Sequence, residues 1–421
     1  MAEQEFHYDV LIVGAGNAAC SAAHAAIDKK ARVGILEKSS KMNRGGNSAL
    51  TGHMRFVFNG FDDVRPLVKN MPDKDLHELL ERMPHRTEAE HWDEIMRVTN
   101  NQSDQDMLQV HVTESLKTVH WLASKGHDWV PGSQWNENIL NPNGGGFGLQ
   151  QRHCTILEKA GAQFHYETAA VDLIRDDNGR VTGVVGLSPQ GHVNFKAKSV
   201  VLACGSFEAN PQMRAQYLGV GWDMVRVRGV PFNTGDGLRM AMNIGAMPHG
   251  SWSTCHASPQ DINLAPYKIP IAYSTKASKA RYMYPYSVMV NINGERFIDE
   301  AYDLRGRTYA AMGRAILTQP GGIAFQILDA KARKLDLYPM NYDDATTEKA
   351  DTLEALAAAL DINAANLVRT VREFNAAIQP GTFNPDRHKL DGKHTAGLAI
   401  NKSNYSMSIE EGPFEGFEMF L

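Results

Sequence analysis

Val10-Leu11-Ile12-Val13-Gly14-Ala15-Gly16-Asn17-Ala18-Ala19, with Glu37 closing the next apolar run, decides the fold of this chain. A short β-branched segment leads into Gly14 and Gly16. Asn17 to Lys29 then reads as an Ala-rich helix, and Arg32 to Leu36 as a second strand. This is the βαβ dinucleotide fingerprint in its Gly-x-Gly-x-x-Ala form. Gly14 permits the tight turn, Gly16 lets the backbone approach a pyrophosphate, and Ala19 allows close helix–strand packing. The helix beginning at Asn17 offers N–H groups and a partial positive charge to phosphate. Glu37 follows Gly16 by 21 residues (37 minus 16), where a carboxylate can accept from both ribose hydroxyls.

Outward from this unit, the chain is long enough for two or three domains at 421 residues. An apolar content of 43% supports ordinary globular cores. A net charge of −5 points away from nucleic acid and from an anionic membrane surface. No run approaches the roughly 20 apolar residues of a membrane span, and Met1 to His7 does not resemble a signal peptide. The cysteines (Cys20, Cys154, Cys204, Cys255) are scattered without a Cys-x-x-Cys pair. They are expected to be reduced and buried, in a cytoplasmic protein.

Periodicity predicts amphipathic helices over Asp73 to Thr99 and Asp104 to Lys125, and a helix over Leu149 to Ala160. Strands are predicted at Gln163 to Tyr166, Ala170 to Arg175, Val181 to Gly186 and Val200 to Ala203. From His249 to Lys279 the chain reads as loop. Tyr286 to Asn291 and Arg296 to Ile298 read as a hairpin closed by Asn293-Gly294. Asp351 with Glu354 reads as a capping box for a helix over Leu353 to Leu360, and Leu367 to Ile378 as a further helix. The last thirty residues read mostly as loop. His77, His85 and His91 read as solvated on a charged helix.

Three more motifs follow in order: Arg44-Gly45-Gly46-Asn47-Ser48, Val201-Leu202-Ala203-Cys204-Gly205 and Thr234-Gly235-Asp236-Gly237. With the fingerprint they resemble the flavoprotein subunit family of fumarate reductases and succinate dehydrogenases. Within it, Arg44 to Gly60, Asn293 to Arg305, Gln319 to Gln326, Phe383 to Gly397 and Pro413-Phe414 look most similar to FAD-dependent tricarballylate dehydrogenases. The resemblance implies an α/β fold: a Rossmann-like, glutathione-reductase-like, three-layer FAD-binding domain over residues 1–248. An inserted α+β capping domain would occupy 249–421. It also implies cofactor contacts at Gly14, Gly16, Asn17, Ala19, Glu37, Lys38, Arg44, Gly45, Gly46, Asn47, Ser48, Gly52, Ala170, Ala203, Gly205 and Asp236. Asn47 stands where covalently flavinylated relatives carry histidine, so the FAD is expected to be noncovalent.

The resemblance further implies oxidation or formation of a carbon–carbon bond beside a carboxylate, with hydride exchanged at flavin N5. Gly294-Glu295-Arg296-Phe297-Ile298-Asp299-Glu300 precedes Arg305, which takes the position of the family's proton-donating arginine if one residue is inserted. Arginine is a poor general acid by its own pKa, so this role comes from the resemblance alone. His256 matches a substrate-binding histidine, and Tyr309 is a second candidate for holding a carboxylate. Arg281, Tyr284 and Tyr286 lie on the next candidate strand, without the Thr-Glu-x-x-Arg pattern of fumarate reductases. A fumarate-type or 3-ketosteroid-type enzyme on the same scaffold is the alternative. No metal is expected, because His249, Cys255 and His256 share one loop without a ligand spacing. The expected partners are a small carboxylate and a separate electron donor or acceptor. Relatives continue past Pro413-Phe414 with segments that return to the flavin, and the chain stops at Leu421 before them. A truncated, non-catalytic flavin-binding protein is therefore a third expectation.

Overall fold

The computed structural model describes residues 5–132, 138–267, 279–335, 337–338, 342–386 and 389–421. Part of the loop read over His249 to Lys279 therefore lies outside the described residues. The chain divides into two compact units, Met1–Ser253 with Pro266–Tyr273, and Thr254–Ala265 with Ser274–Leu421.

The first unit opens with β1 (Glu5–Val13), α1 (Asn17–Asp28) and β2 (Val33–Leu36). Helices α2 (Phe61–Val64), α3 (Asp73–Arg82), α4 (Glu88–Val98) and α5 (Gln105–Ser124) follow. A small ribbon of β3 (Trp129–Pro131) and β4 (Leu140–Pro142) leads to α6 (Gly145–Lys159). Then come β5 (Gln163–His165), β6 (Ala169–Arg175), β7 (Val181–Ser188), β8 (Gly191–Leu202), α7 (Pro211–Leu218) and α8 (Asp236–Asn243). The strand order is β5-β2-β1-β8-β7-β6. The pairs from β5 to β8 are parallel, and β8-β7-β6 is an antiparallel meander.

Alternation along β1 sends side chains to both faces of this sheet. Ile12 packs with Ala19 and Ala23 of α1 and with Cys154 and Leu157 of α6. Leu11 and Val13 pack instead with Leu173, Val184, Phe195 and Met240. Such a doubly covered, mostly parallel sheet is the Rossmann-like arrangement expected from the fingerprint.

The second unit contains β9 (Gln260–Asp261), β10 (Val288–Val290), α9 (Arg305–Leu317) and β11 (Ile323–Leu328). It continues through α10 (Ala330–Lys334), β12 (Thr347–Ala350), α11 (Leu353–Ala359), α12 (Ala364–Ala377) and β13 (Phe414–Phe420). Strands β10-β11-β13-β12 form an antiparallel sheet, with β9 also paired to β13. One core joins Val288, Val290, Phe325 and Ile327 to Leu356, Leu367, Val371 and Phe374 of α11 and α12. Another places Met289, Ala324 and Met419 against Met312 and Ile316 of α9. This is an α+β unit with helices on an antiparallel sheet.

Several local expectations are corrected. The helix read over Asp73 to Thr99 is two helices, broken around Met83 to His85 where Pro84 cannot continue the ladder. Thr87 caps the second of them through a capping box with Glu90. His91 is buried, with its Nε2 3.0 Å from His111 Nε2. Thr352, not Asp351, caps α11 by accepting from the Ala355 N–H. The closing strand β13 lies inside the segment read as loop. Among the cysteines, Cys20 and Cys154 are buried thiols, but Cys255 is exposed. No helix among the described residues is long and apolar enough to cross a membrane.

Candidate functional site

At the end of β1 the first unit opens a cavity of about 320 Å³. Gly14 adopts φ +105°, and a Cβ there would stand 2.5 Å from the Ala203 carbonyl oxygen. No other residue lets β1 and the end of β8 approach so closely. Gly16 is the N-terminal residue flanking α1, and no side chain caps it. A Cβ on Gly16 would lie 3.4 Å from Ser48 Oγ. The Asn17 N–H donates to that same oxygen at 3.0 Å, so the second motif is docked on the helix start. The cavity therefore pairs the helix N-terminus, whose first N–H is taken by Ser48, with glycine backbone on both sides, an environment for a diphosphate.

Glu37 directly follows β2, and its carboxylate accepts from the Ser39 N–H at 2.7 Å. It is 7% exposed, and burial pushes its pKa up despite the Ser39 hydrogen bond. A largely desolvated carboxylate at the cavity wall is suited to accept ribose hydroxyls. Lys38 Nζ reaches Asp236 Oδ2 at 2.9 Å and Thr234 Oγ1 at 2.7 Å, tying the third motif to the end of β2.

Of the residues named from sequence, Gly14, Gly16, Asn17, Glu37, Lys38, Gly45, Gly46, Asn47, Ser48, Ala170, Ala203, Gly205 and Asp236 line this cavity. Three do not. Ala19 is fully buried in the helix–sheet core. The Arg44 guanidinium points inward, donating to the Lys41 carbonyl at 2.8 Å and to Gln151 Oε1. Gly52 lies outside the lining. Sequence reading missed Glu208 and Asn233. Glu208 Oε1 accepts from Asn47 Nδ2 and, at 2.6 Å, from Asn233 Nδ2, joining loops far apart in the chain. Asn47 Oδ1 in turn accepts from the Val230 N–H at 2.8 Å. Only an isolated Phe-Glu after the Gly205 turn hinted at Glu208.

In the second unit, His256, Tyr282, Arg305 and Tyr309 come together. His256 and Tyr309 meet edge to face at 5.0 Å between ring centres, and Tyr282 and Tyr309 at 5.3 Å. The Arg305 guanidinium carbon lies 5.4 Å from the Tyr282 ring centre. Arg305 is the first residue of α9, so the helix fixes its backbone while its side chain remains half-buried. In the sequence nothing sets Tyr282 apart from Arg281, Tyr284 and Tyr286 beside it. Those neighbours are core: Arg281 is fully buried against Asp261 at 2.6 Å, and Tyr284 shares a 2.8 Å hydrogen bond with Thr308. Tyr286 is likewise buried. Arg296 of the Gly-x-Arg-Phe segment is structural, pairing with Glu300 at 2.6 Å.

The fold and the cavity together define a dinucleotide-binding α/β protein whose donor set fits an adenosine diphosphate moiety. The model of the FAD binding domain matches residues 9–405. The chain belongs to this FAD-binding family, which bears out the resemblance to fumarate reductase and succinate dehydrogenase flavoproteins, and its cofactor is FAD. A probable fumarate reductase of Shewanella frigidimarina is 29% identical over 385 residues, covering 88% of this chain and 59% of the relative. The chain thus spans about 59% of that relative's length. The open conformation of a flavocytochrome c3 fumarate reductase superposes with a TM-score of 0.67 at 24% identity, over 99% of this chain and 67% of that one. A 3-ketosteroid Δ1-dehydrogenase from Sterolibacterium denitrificans gives 0.70 at 19% identity, over 98% and 87%. At these identities the two structures speak to fold alone.

Proposed function

We propose that the chain is the flavin-bearing part of an oxidoreductase that acts on a carbon–carbon bond next to a carboxylate in a small polycarboxylate. The observation that carries this reading is the grouping of Arg305 with His256, Tyr282 and Tyr309. FAD held by the first unit, without a covalent bond at Asn47, would supply hydride exchange at its N5. Arg305 offers paired N–H donors in a planar fork that matches a carboxylate. Tyr282 beneath its guanidinium restricts where that fork can point. His256 and the Tyr309 hydroxyl add donors that orient the substrate and stabilise charge growing on its carboxylate. Arg305 is also the candidate for passing a proton to the neighbouring carbon, a role that rests on the family resemblance. The electrons would be exchanged with a separate molecule.

The test is a panel of fumarate, tricarballylate and a 3-ketosteroid, assayed with artificial electron donors and acceptors on FAD-loaded protein. Turnover of a di- or tricarboxylate that collapses in Arg305→Ala supports the reading, and the preferred acid names the substrate class. Turnover of the steroid alone, or carboxylate turnover indifferent to Arg305→Ala, overturns it.

A further inference from the structure

Beneath the cofactor helix, the first unit buries three histidines from three different elements. His24 lies on α1, His127 on the turn after α5, and His153 on α6. They are 4%, 3% and 0% exposed. One ring nitrogen from each can be chosen so that all three lie within 4.8 Å of one another. His24 Nε2 and His153 Nδ1 are 3.1 Å apart. Two imidazoles on one tetrahedral ion, with bonds of about 2.0–2.1 Å, place their nitrogens about 3.3 Å apart. The observed separation is thus close to that of two ligands of a single ion.

His127 supplies the second, independent observation. Both of its ring nitrogens are buried, and neither has a hydrogen-bond partner among the described residues. Leaving such groups unsatisfied costs on the order of 1–3 kcal/mol. Its ring centre lies 4.1 Å from that of His153. The residue follows Gly126, which takes φ +101° at the end of α5, so its ring is carried on a turn rather than within a helix. Turning that ring toward His24 and His153 gives its lone pair a use.

An orienting contact is already built. His153 Nε2 lies 3.1 Å from Asn17 Oδ1. With the proton on Nε2, the His153 Nδ1 lone pair faces the cluster, the arrangement that metal-bound histidines show with an outer carbonyl or carboxylate.

We propose that His24, His127 and His153 form a binding site for one divalent transition ion of the zinc class, which pins α1 to α6 and to the end of α5. Neutral imidazoles suit zinc, cobalt, nickel and copper, and are poor ligands for magnesium or calcium. A water completes the coordination. Asn17 both lines the nucleotide cavity and contacts His153, so the ion sits one residue away from the FAD site.

The experiment is titration of chelator-treated, FAD-loaded protein with Co²⁺ and then Zn²⁺, followed by visible absorption, metal analysis and thermal unfolding. The expected result is one Co²⁺ per chain with the intense visible bands of tetrahedral cobalt, displaced by Zn²⁺, and a raised unfolding temperature. His127→Ala and His127→Gln should each lose that stoichiometric ion while keeping FAD and the circular dichroism of the parent. His192→Ala, at an exposed histidine on β8, should retain it. Absence of stoichiometric binding, octahedral cobalt only, or binding that survives both His127 variants overturns the proposal. These readouts do not depend on carboxylate turnover.

Discussion

The Asn17 N–H donates to Ser48 Oγ across 3.0 Å, although 31 residues separate them. Through this bond the first turn of the phosphate-facing helix and the Gly45-Gly46-Asn47-Ser48 loop form one surface. Ser48→Ala removes the acceptor and loosens the loop on the helix. Loss of one such bond costs about 0.5–1.5 kcal/mol, so FAD affinity should fall by roughly twofold to thirteenfold. Flavin fluorescence titration measures it, and an unchanged dissociation constant would show that the loop docks without this bond.

Glu208 makes a second connection, holding Asn47 and Asn233 with one carboxylate oxygen. Glu208→Ala leaves two amides without their acceptor beside the cavity. FAD should bind more weakly, by about 1–3 kcal/mol, and Glu208→Gln should recover part of the loss. Equal affinity of wild type and Glu208→Ala would remove Glu208 from the site.

Arg305 is predicted to act through geometry as well as charge. Arg305→Lys keeps the cation but loses the planar fork and its stacking on Tyr282. Turnover of a carboxylate substrate should drop at least tenfold in Arg305→Lys and further in Arg305→Ala, with FAD content unchanged. Steady-state kinetics on flavin-normalised samples would show this, and full activity of Arg305→Lys would reduce its role to charge alone.

The Arg281–Asp261 pair is a stability element of the second unit. Asp261 Oδ2 also accepts from the Thr346 N–H at 2.7 Å. Arg281→Met would strand a buried carboxylate, at a cost of about 3–5 kcal/mol. Urea denaturation should show a much smaller loss in Arg281→Met/Asp261→Leu than in Arg281→Met. Equal losses would mean that the pair packs as inert volume.

Lys402 gives a pH dependence with a definite sign. It is 1% exposed, donates to the Ser287 carbonyl oxygen at 2.6 Å, and burial pulls its pKa from 10.5 to about 8. Below pH 8 the ammonium is charged in both folded and unfolded chains, and its full burial cost is present. Between about 8 and 10.5 the unfolded chain holds the extra proton, so this cost is relieved as pH rises. The shift corresponds to roughly 3 kcal/mol. The stability of wild type relative to Lys402→Met should therefore rise from pH 8 to pH 10. Parallel pH profiles for the two proteins would contradict it.

The nucleotide half of this molecule was legible because its chemistry is local. Val10 to Ala19 sets strand, turn and helix within ten residues, and Glu37 directly follows the partner strand. The second unit was harder to read because its decisive contacts are long-range. In β13, Phe414, Phe417 and Met419 belong to three different cores, so no period of two appears. Its Glu415, a charged residue in a stretch read as loop, is 3% exposed and accepts from Tyr338 Oη at 2.7 Å. The same limit hid the histidine cluster, since His24, His127 and His153 share no spacing and meet only in the folded unit. It also hid Tyr282, whose neighbour Arg281 has the chemistry of a site residue and the surroundings of a core one.

The most direct test of the cofactor assignment is the absorption spectrum of the purified chain and of Glu37→Ala, before and after FAD addition and after denaturation. The account predicts protein-bound flavin bands in the wild type, full release of free FAD on denaturation, and binding weaker by about 1–3 kcal/mol in Glu37→Ala. A wild-type chain that takes up no FAD, or binds it equally well without the Glu37 carboxylate, would contradict the assignment of the cavity between Gly14 and Glu37.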